Sequence, residues 1–95
     1  MTTEIDYSGI PPHMLESIQG YIEEGWPVGG FLSALLANDL VHAFGTADES
    51  NRAAMFAWAS FIHNEAPMAC WGSKDKVEQW IAQGGVRAYM AKDGG

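Results

Sequence analysis

The sequence predicts an all-α protein, a single small bundle of four to five short helices. Apolar residues recur at helical spacing in successive segments, glycine and proline separate these segments, and strand-like alternation is short. Ninety-five residues suffice for one domain with a modest core, and 12% aromatic residues argue against disorder. We therefore expect one domain over residues 1–95, with a loose N-terminal arm at residues 1–9 and a tail at residues 92–95.

The first helix is expected over residues 11–24. Pro11 and Pro12 suit a first helical turn, where the N–H group that proline lacks is not needed. Apolar residues follow at helical spacing, namely Met14, Leu15, Ile18, Tyr21 and Ile22. Gly25 fits the left-handed position after the last turn, and Pro27 prevents the helix from continuing.

The second helix is expected over residues 31–44, where apolar residues form one wide stripe. Asn38 and Asp39 interrupt this stripe, and burying them without partners would be costly. We expect both to lie at the helix surface. The Asp39 carboxylate should accept hydrogen bonds from backbone N–H groups of an adjacent turn, which would be a structural role.

The third helix is expected over residues 48–63, with Thr46 or Asp48 as its cap. Large apolar side chains cover more than half of its circumference, namely Met55, Phe56, Trp58, Phe61 and Ile62. Such a helix is either central in the core or half of a homodimer interface. The central position is the preferred interpretation.

The fourth helix is expected over residues 74–83, capped by Ser73 and ended by glycine at positions 84 and 85. One further turn at residues 86–91 could contribute Val86, Tyr89 and Met90 to the packing. The predicted core residues are Trp26, Leu35, Leu36, Leu40, Phe56, Trp58, Phe61, Ile62, Trp71 and Trp80.

The charge distribution is one-sided. The first 51 residues contain eight acidic side chains and neither lysine nor arginine, and the whole chain has a formal net charge of −7. The resulting field attracts basic surfaces and repels nucleic acid and anionic membranes. The predicted partner-binding residues are Glu16, Glu23, Glu24, Asp39, Asp48 and Glu49. The alternative is a solvated surface on which some acids simply favour helix starts.

Few residues suggest catalytic or metal chemistry. Asp39 and His42 have a spacing that could bring two metal ligands together, but a local polar pair at the helix surface is the preferred interpretation. Cys70 and His63 could be a nucleophile and its base, but the apolar neighbours of Cys70 favour a packed, unreactive thiol. We therefore assign no catalytic, cofactor-binding or metal-binding residue, and we expect a protein that is not an enzyme and needs no cofactor.

Phosphate binding and membrane insertion are also disfavoured. The pair Gly29-Gly30 could present N–H groups to a phosphate, but no lysine or arginine accompanies it, so a tight turn is preferred. No apolar run approaches the ~18–20 residues of a membrane span. A single cysteine and an acidic N-terminus suit the cytoplasm.

Five short segments between residues 10 and 85 carry a family resemblance. They are Gly29-Gly30-Phe31-Leu32, Asn38-Asp39-Leu40, Ala47-Asp48, Asn64-Glu65-Ala66-Pro67 and Trp71-Gly72-Ser73. In them the chain resembles small uncharacterised proteins encoded in phages and proviral islands. The resemblance implies an accessory protein that acts on host or phage machinery. In size and acidity the chain is also similar to inhibitors of host defence, including anti-CRISPR proteins.

Two functions are therefore expected. The first is a non-enzymatic, phage-like accessory protein that binds a basic host protein, or a nucleic-acid-binding complex, through an acidic face. It would contact neither nucleic acid nor membrane directly. The alternative is a structural or assembly protein that forms a homodimer through its apolar third helix.

Overall fold

The computed structural model describes residues 5–86. Within this range the chain forms helices and turns and no strand, which confirms the predicted all-α fold class. The α-helices are α1 (Leu15–Glu24), α2 (Gly30–Leu36), α3 (Leu40–Thr46), α4 (Glu49–Ala53), α5 (Met55–Asn64) and α6 (Lys74–Gln83). Two 3₁₀ turns, Pro12–Met14 and Met68–Cys70, precede α1 and α6. The predicted tail, the packing residues Tyr89 and Met90, and residues 1–4 of the predicted arm lie outside the described residues.

The predicted second helix is two helices. Asn38 has a φ of 66°, in the left-handed region that asparagine tolerates better than most residues, and the chain turns there. Asp39 then caps α3, its carboxylate accepting a hydrogen bond from the N–H of His42 at 3.3 Å. Apolar residues at helical spacing occur on both sides of this turn, so the periodicity gave no sign that the helix ends there. Asp39 does bond a backbone N–H, as predicted, but at the start of its own helix.

The predicted third helix is also two helices, separated by Ala54. The break is mild because the N–H of Ala54 still donates to the carbonyls of Ser50 and Asn51. Asp48 is the cap of α4, and its carboxylate accepts a hydrogen bond from the N–H of Asn51 at 2.8 Å. The boundary signals at Asp48 were thus correct, although the helix that follows is shorter than predicted.

Trp58 of α5 lies at the centre of the core. Its side chain is 0% exposed and meets the rings of Phe31 and Phe61 edge to face, at centroid distances of 5.6 and 6.4 Å. Its indole Nε1 donates to Oδ1 of buried Asn51 at 3.1 Å. Other predicted core residues are buried as well, namely Leu35, Leu36, Phe61, Ile62 and Trp80, while Trp71 is half-buried against the core.

Three predicted core residues are exposed instead: Trp26 by 48%, Leu40 by 60% and Phe56 by 87%. The Trp26 ring lies on the outside of α1 over Gly20, which leaves room for it by lacking a side chain. Leu40 begins a new helix after the turn at Asn38, so it no longer continues the buried stripe. Phe56 lies opposite the inward side of α5. Leu40 and Phe56 are exposed because of their orientation on a helix, whereas Trp26 lies in the loop that follows α1.

The ends of α1 and α6 meet through glycine backbone. Gly25 and Gly85 have φ values of 75° and 77°, which side-chain-bearing residues adopt only with strain. A Cβ atom on Gly25 would lie 2.8 Å from backbone atoms of Gly84, and one on Gly85 would lie 2.7 Å from the backbone N of Glu24. Only glycine allows this approach. Gly25 and Gly85 therefore determine how closely the ends of α1 and α6 approach each other.

Residues 5–9 are not a loose arm, contrary to the prediction. Ile5 and Tyr7 pack against the core and Ile10 is buried within it. The rings of Tyr7 and Phe61 are 5.3 Å apart, and the N–H of Asp6 donates to Oε1 of Glu65 at 3.0 Å. Burial of these apolar groups opposes the entropy lost on ordering the segment. The segment forms one wall of a groove on α5.

Candidate interaction surface

The three acidic residues of α1 lie towards opposite ends of the helix. Glu16 is exposed in its first turn, whereas Glu23 and Glu24 are half-buried in its last turn. Seven residues of α-helix separate Glu16 from Glu23 by about 10 Å. The charge of Glu23, after burial, is one cause of the raised pKa of Tyr7, about 12. Of the three, only Glu16 is exposed.

The other three predicted site residues flank α3. Asp39 begins this helix, while Asp48 and Glu49 follow its end, so the helix length of about 10 Å separates them. Asp48 is already engaged with His13 Nε2, 3.0 Å away. The hydrogen bond from Asn51 N, helped by His13 and Arg52, lowers the pKa of Asp48. The acids within α1 and those flanking α3 are thus each spread over about 10 Å, and Asp39 and Asp48 have capping roles.

Phe56, predicted as a core residue, instead marks an exposed surface on α5. On α5, Phe56, Ala59 and His63 are exposed at positions i, i+3 and i+7, which places them along one side of the helix. We call these three residues the α5 ridge. The inward side is defined by Met55, Trp58, Phe61 and Ile62. At 100° per residue Phe56 points about 150° away from this inward side, which the packing of α5 against the core defines.

A groove with two carboxylates lies on one side of the α5 ridge; we call it the acidic groove. It has a volume of about 300 Å³ and is lined by Asp6, Ser8, Gly9, Phe56, Ala57, Ser60, Phe61, Asn64 and Glu65. Glu65 accepts a hydrogen bond from Asp6 N, and Asp6 accepts one from Ser8 N at 2.9 Å, which lowers the pKa of Asp6. Among the described residues no lysine or arginine lines this groove.

A smaller, mainly apolar depression lies on the other side of the ridge; we call it the apolar cleft. It has a volume of about 130 Å³ and is lined by Leu35, Asn38, Leu40, Ala59, Ile62, His63 and Trp71. The buried indole N–H of Trp71 finds no acceptor within residues 5–86. On α3 the exposed apolar surface continues with Val41 and Phe44, which are 84% and 42% exposed. The α5 ridge thus separates an acidic depression from an apolar one.

The residues considered for metal or nucleophile chemistry are not assembled into a site. No three His, Cys, Asp or Glu side chains of the described range are grouped so that they could hold a metal ion. Cys70 is 0% exposed, whereas His63 is on the surface, and burial raises the pKa of the Cys70 thiol to about 12. The glycines at positions 29 and 30 are exposed at the start of α2.

The buried thiol makes stability depend on pH. An unfolded cysteine has a pKa of about 8.5, so between this value and about 12 the unfolded chain releases a proton that the folded chain retains. The contribution of the protonated Cys70 thiol to stability is therefore fully present below pH ~8.5. It is lost as the pH rises towards about 12. Between pH 8 and 9.5 we expect the free energy of unfolding, measured by urea titration, to fall by about 1 kcal/mol. A Cys70→Ala variant should lose this decline, and an equal decline in the variant would contradict the assignment.

No family model, curated protein or solved structure matches this chain. None of the helices described between residues 5 and 86 has the length and apolar character needed to cross a membrane. The function is therefore inferred from the geometry of the two depressions beside the α5 ridge.

Proposed function

We propose that this protein is a non-enzymatic interaction module that binds a basic partner protein through the α5 ridge and the depressions beside it. The observation that carries this proposal is the exposure of Phe56, a large apolar side chain that is 87% exposed. It lines the acidic groove, and the apolar cleft lies on the other side of the α5 ridge. Exposed apolar groups flanked by polar residues are typical of protein-binding surfaces. The partner would place apolar side chains on the ridge and in the cleft, and basic ones at the acidic groove.

The net charge supports a basic partner. Within residues 5–86 ten carboxylates face only three lysine and arginine side chains, so the whole formal charge of −7 lies in the described part of the chain. Such a field steers oppositely charged proteins to the surface and speeds their association. The proposed surface differs from the acidic face expected on α1, because Phe56 and both depressions lie around α5.

The resemblance to phage-encoded proteins suggests the biological setting. In this proposal the module is a phage-like accessory protein in the cytoplasm of a bacterial host. Its partner would be a basic host protein or a nucleic-acid-binding complex, such as a defence complex that the module inhibits. The support for this setting is the sequence resemblance, whereas the support for the binding surface is the exposure around α5.

A comparison of surface variants tests the proposed binding surface. We expect a double Leu40→Ser/Phe56→Ser variant to retain a basic partner from host lysate about tenfold less than the wild type. The matched control is Met68→Ser, which changes another highly exposed apolar residue outside both depressions. Retention should also fall at high salt. Equal capture by the double variant and the wild type would rule out this surface.

A homodimer is the second candidate, because an exposed Phe56 would also suit an interface between two copies of the chain. The charge of −7 on each copy opposes such pairing, so the basic partner is preferred. Sedimentation equilibrium separates the two proposals. A dimer that a Phe56→Ala substitution dissociates would favour self-association, and a monomer at high protein concentration would exclude it.

A further inference from the structure

We infer that the acidic groove accepts an arginine side chain of the partner, with its guanidinium group between the carboxylates and the ring of Phe56. The inference rests on the proposed function in one respect, since a basic partner supplies the arginine. It adds the chemical identity of the group that the groove recognises. The groove lies between the N-terminal segment, residues 5–9, and the outer side of α5.

The walls of the groove present acceptors for a cation. Asp6 and Glu65 each use one carboxylate oxygen for a backbone hydrogen bond, to Ser8 N and Asp6 N respectively. These bonds hold both carboxylates in place at the groove. The Ser8 side chain also donates to Asp6, whereas the second carboxylate oxygen of Glu65 can accept a further hydrogen bond. Within the described residues neither carboxylate forms an ion pair with a lysine or arginine. A cationic group entering the groove would therefore meet two positioned negative charges.

Polar groups on α5 extend this set of acceptors. Asn64 Nδ2 donates to Ser60 Oγ at 3.3 Å, which leaves the carbonyl oxygen of the Asn64 amide as an acceptor. Asn64 and Ser60 line the groove together with Glu65. The carboxylates of Asp6 and Glu65 and the carbonyl oxygen of Asn64 favour a ligand that is rich in donors. Guanidinium carries five N–H donors and no acceptor.

The exposed ring of Phe56 favours an arginine side chain over a lysine side chain in the groove. Its exposed ring lines the same groove as the carboxylates, and a guanidinium plane stacks on an aromatic face while its N–H groups bond carboxylates at its edge. An ammonium group is compact and strongly hydrated, and it cannot make both contacts in this way. The volume of about 300 Å³ is at the lower end for ligand sites, which suits one side chain better than a larger ligand.

An NMR titration with small probes tests the inference without knowledge of the partner. The probes are N-acetyl-arginine amide, its lysine counterpart and its citrulline counterpart, which has nearly the shape of arginine but no charge. We expect arginine to shift the amide signals of Phe56, Ser60 and Glu65 with a dissociation constant in the millimolar range. Lysine should bind about two- to fivefold more weakly, and citrulline should not bind measurably.

Variants of the groove provide the second measurement. Glu65→Gln retains an acceptor for Asp6 N, and Phe56→Ala removes only an exposed ring, so both proteins should fold. Each is expected to weaken arginine binding about two- to fivefold. The matched control is Glu78→Gln, which removes an exposed carboxylate from α6 outside the groove. It should leave arginine binding unchanged.

The outcomes separate this inference from the proposed function. Absence of saturable shifts at the groove with arginine, or equal binding of citrulline, would overturn the arginine site even if a partner were captured through the α5 ridge. The inference would also be overturned if the Glu65→Gln variant bound arginine as tightly as the wild type. Conversely, arginine binding at the groove together with unchanged partner capture by Leu40→Ser/Phe56→Ser would leave the site and remove the proposed function.

Discussion

Replacing Gly85 with alanine is expected to lower the free energy of unfolding by about 3 kcal/mol. The new Cβ atom would lie 2.7 Å from the backbone N of Glu24 and would force a φ of 77° on a residue that has a side chain. The clashing atoms are backbone, so no side chain can rotate away. The ends of α1 and α6 would have to separate, and contacts between the two helices would be lost. Urea unfolding monitored by circular dichroism measures the change.

The matched control is Gly45→Ala. Gly45 lies within α3, and a Cβ atom there would meet nothing within 4 Å. Alanine favours helix over glycine, so this variant should be more stable by up to about 1 kcal/mol. If Gly85→Ala lowers the free energy of unfolding and Gly45→Ala raises it, the loss comes from the close contact between Gly85 and the end of α1. A Gly85→Ala protein as stable as the wild type would show that α1 and α6 do not meet in this way.

Replacing Trp58 with alanine is expected to cost about 4 kcal/mol, the largest effect of any single side chain in the core. The side chain is 0% exposed and meets both Phe31 and Phe61, so a large cavity would remain. The side-chain oxygen of buried Asn51 would also lose the hydrogen bond that it accepts from the Trp58 indole. A small domain has only about 5–15 kcal/mol of stability, so much of the protein would be unfolded at elevated temperature.

Phe56→Ala is the control for this prediction, because Phe56 lies on the same helix two residues earlier. Its side chain is largely exposed, and we expect the change in stability to stay within about 0.5 kcal/mol. Thermal unfolding of both variants gives the comparison directly. If Phe56→Ala instead destabilised the protein as much as Trp58→Ala, Phe56 would belong to the core and would not be free to bind a partner.

The fold class and several helix ends could be predicted from the sequence because their signals are local. Gly25 and Gly84 adopt the left-handed conformation expected after α1 and α6, and Asp48 and Ser73 cap the helices that follow them. Each of these signals depends on a residue and its immediate neighbours. A single sequence contains that information in full.

The break at Asn38 and the exposure of Phe56 could not be predicted from local patterns. Apolar residues continue on both sides of Asn38, so periodicity alone extended the helix. Phe56 is as hydrophobic as its buried neighbours on α5, and only the direction of the helix relative to the core distinguishes it from them. Tertiary packing decides that direction, and the pattern of apolar residues constrains it weakly when a helix is apolar over most of its circumference.

The acidic groove was missed for a different reason. Its two carboxylates come from residues distant in sequence, and Asp6 belonged to a segment expected to be loose. The predicted site residues were chosen because they were acidic and close together in the first half of the chain. Charge counts identify neither the residues that already bond to Asp48 nor the hydrogen bond that holds Asp6 beside Glu65.

The hydrogen bond between Asp6 and Glu65 joins positions 59 residues apart, which has a consequence for synthesis of the chain on the ribosome. The segment with Ile5 and Tyr7 emerges early, but the helix that it packs against emerges much later. Closing so long a loop is slow compared with forming a helix. The acidic groove therefore cannot exist in a nascent chain until α5 has been made. If arginine binds in this groove, as inferred above, its binding reports that this step of folding is complete.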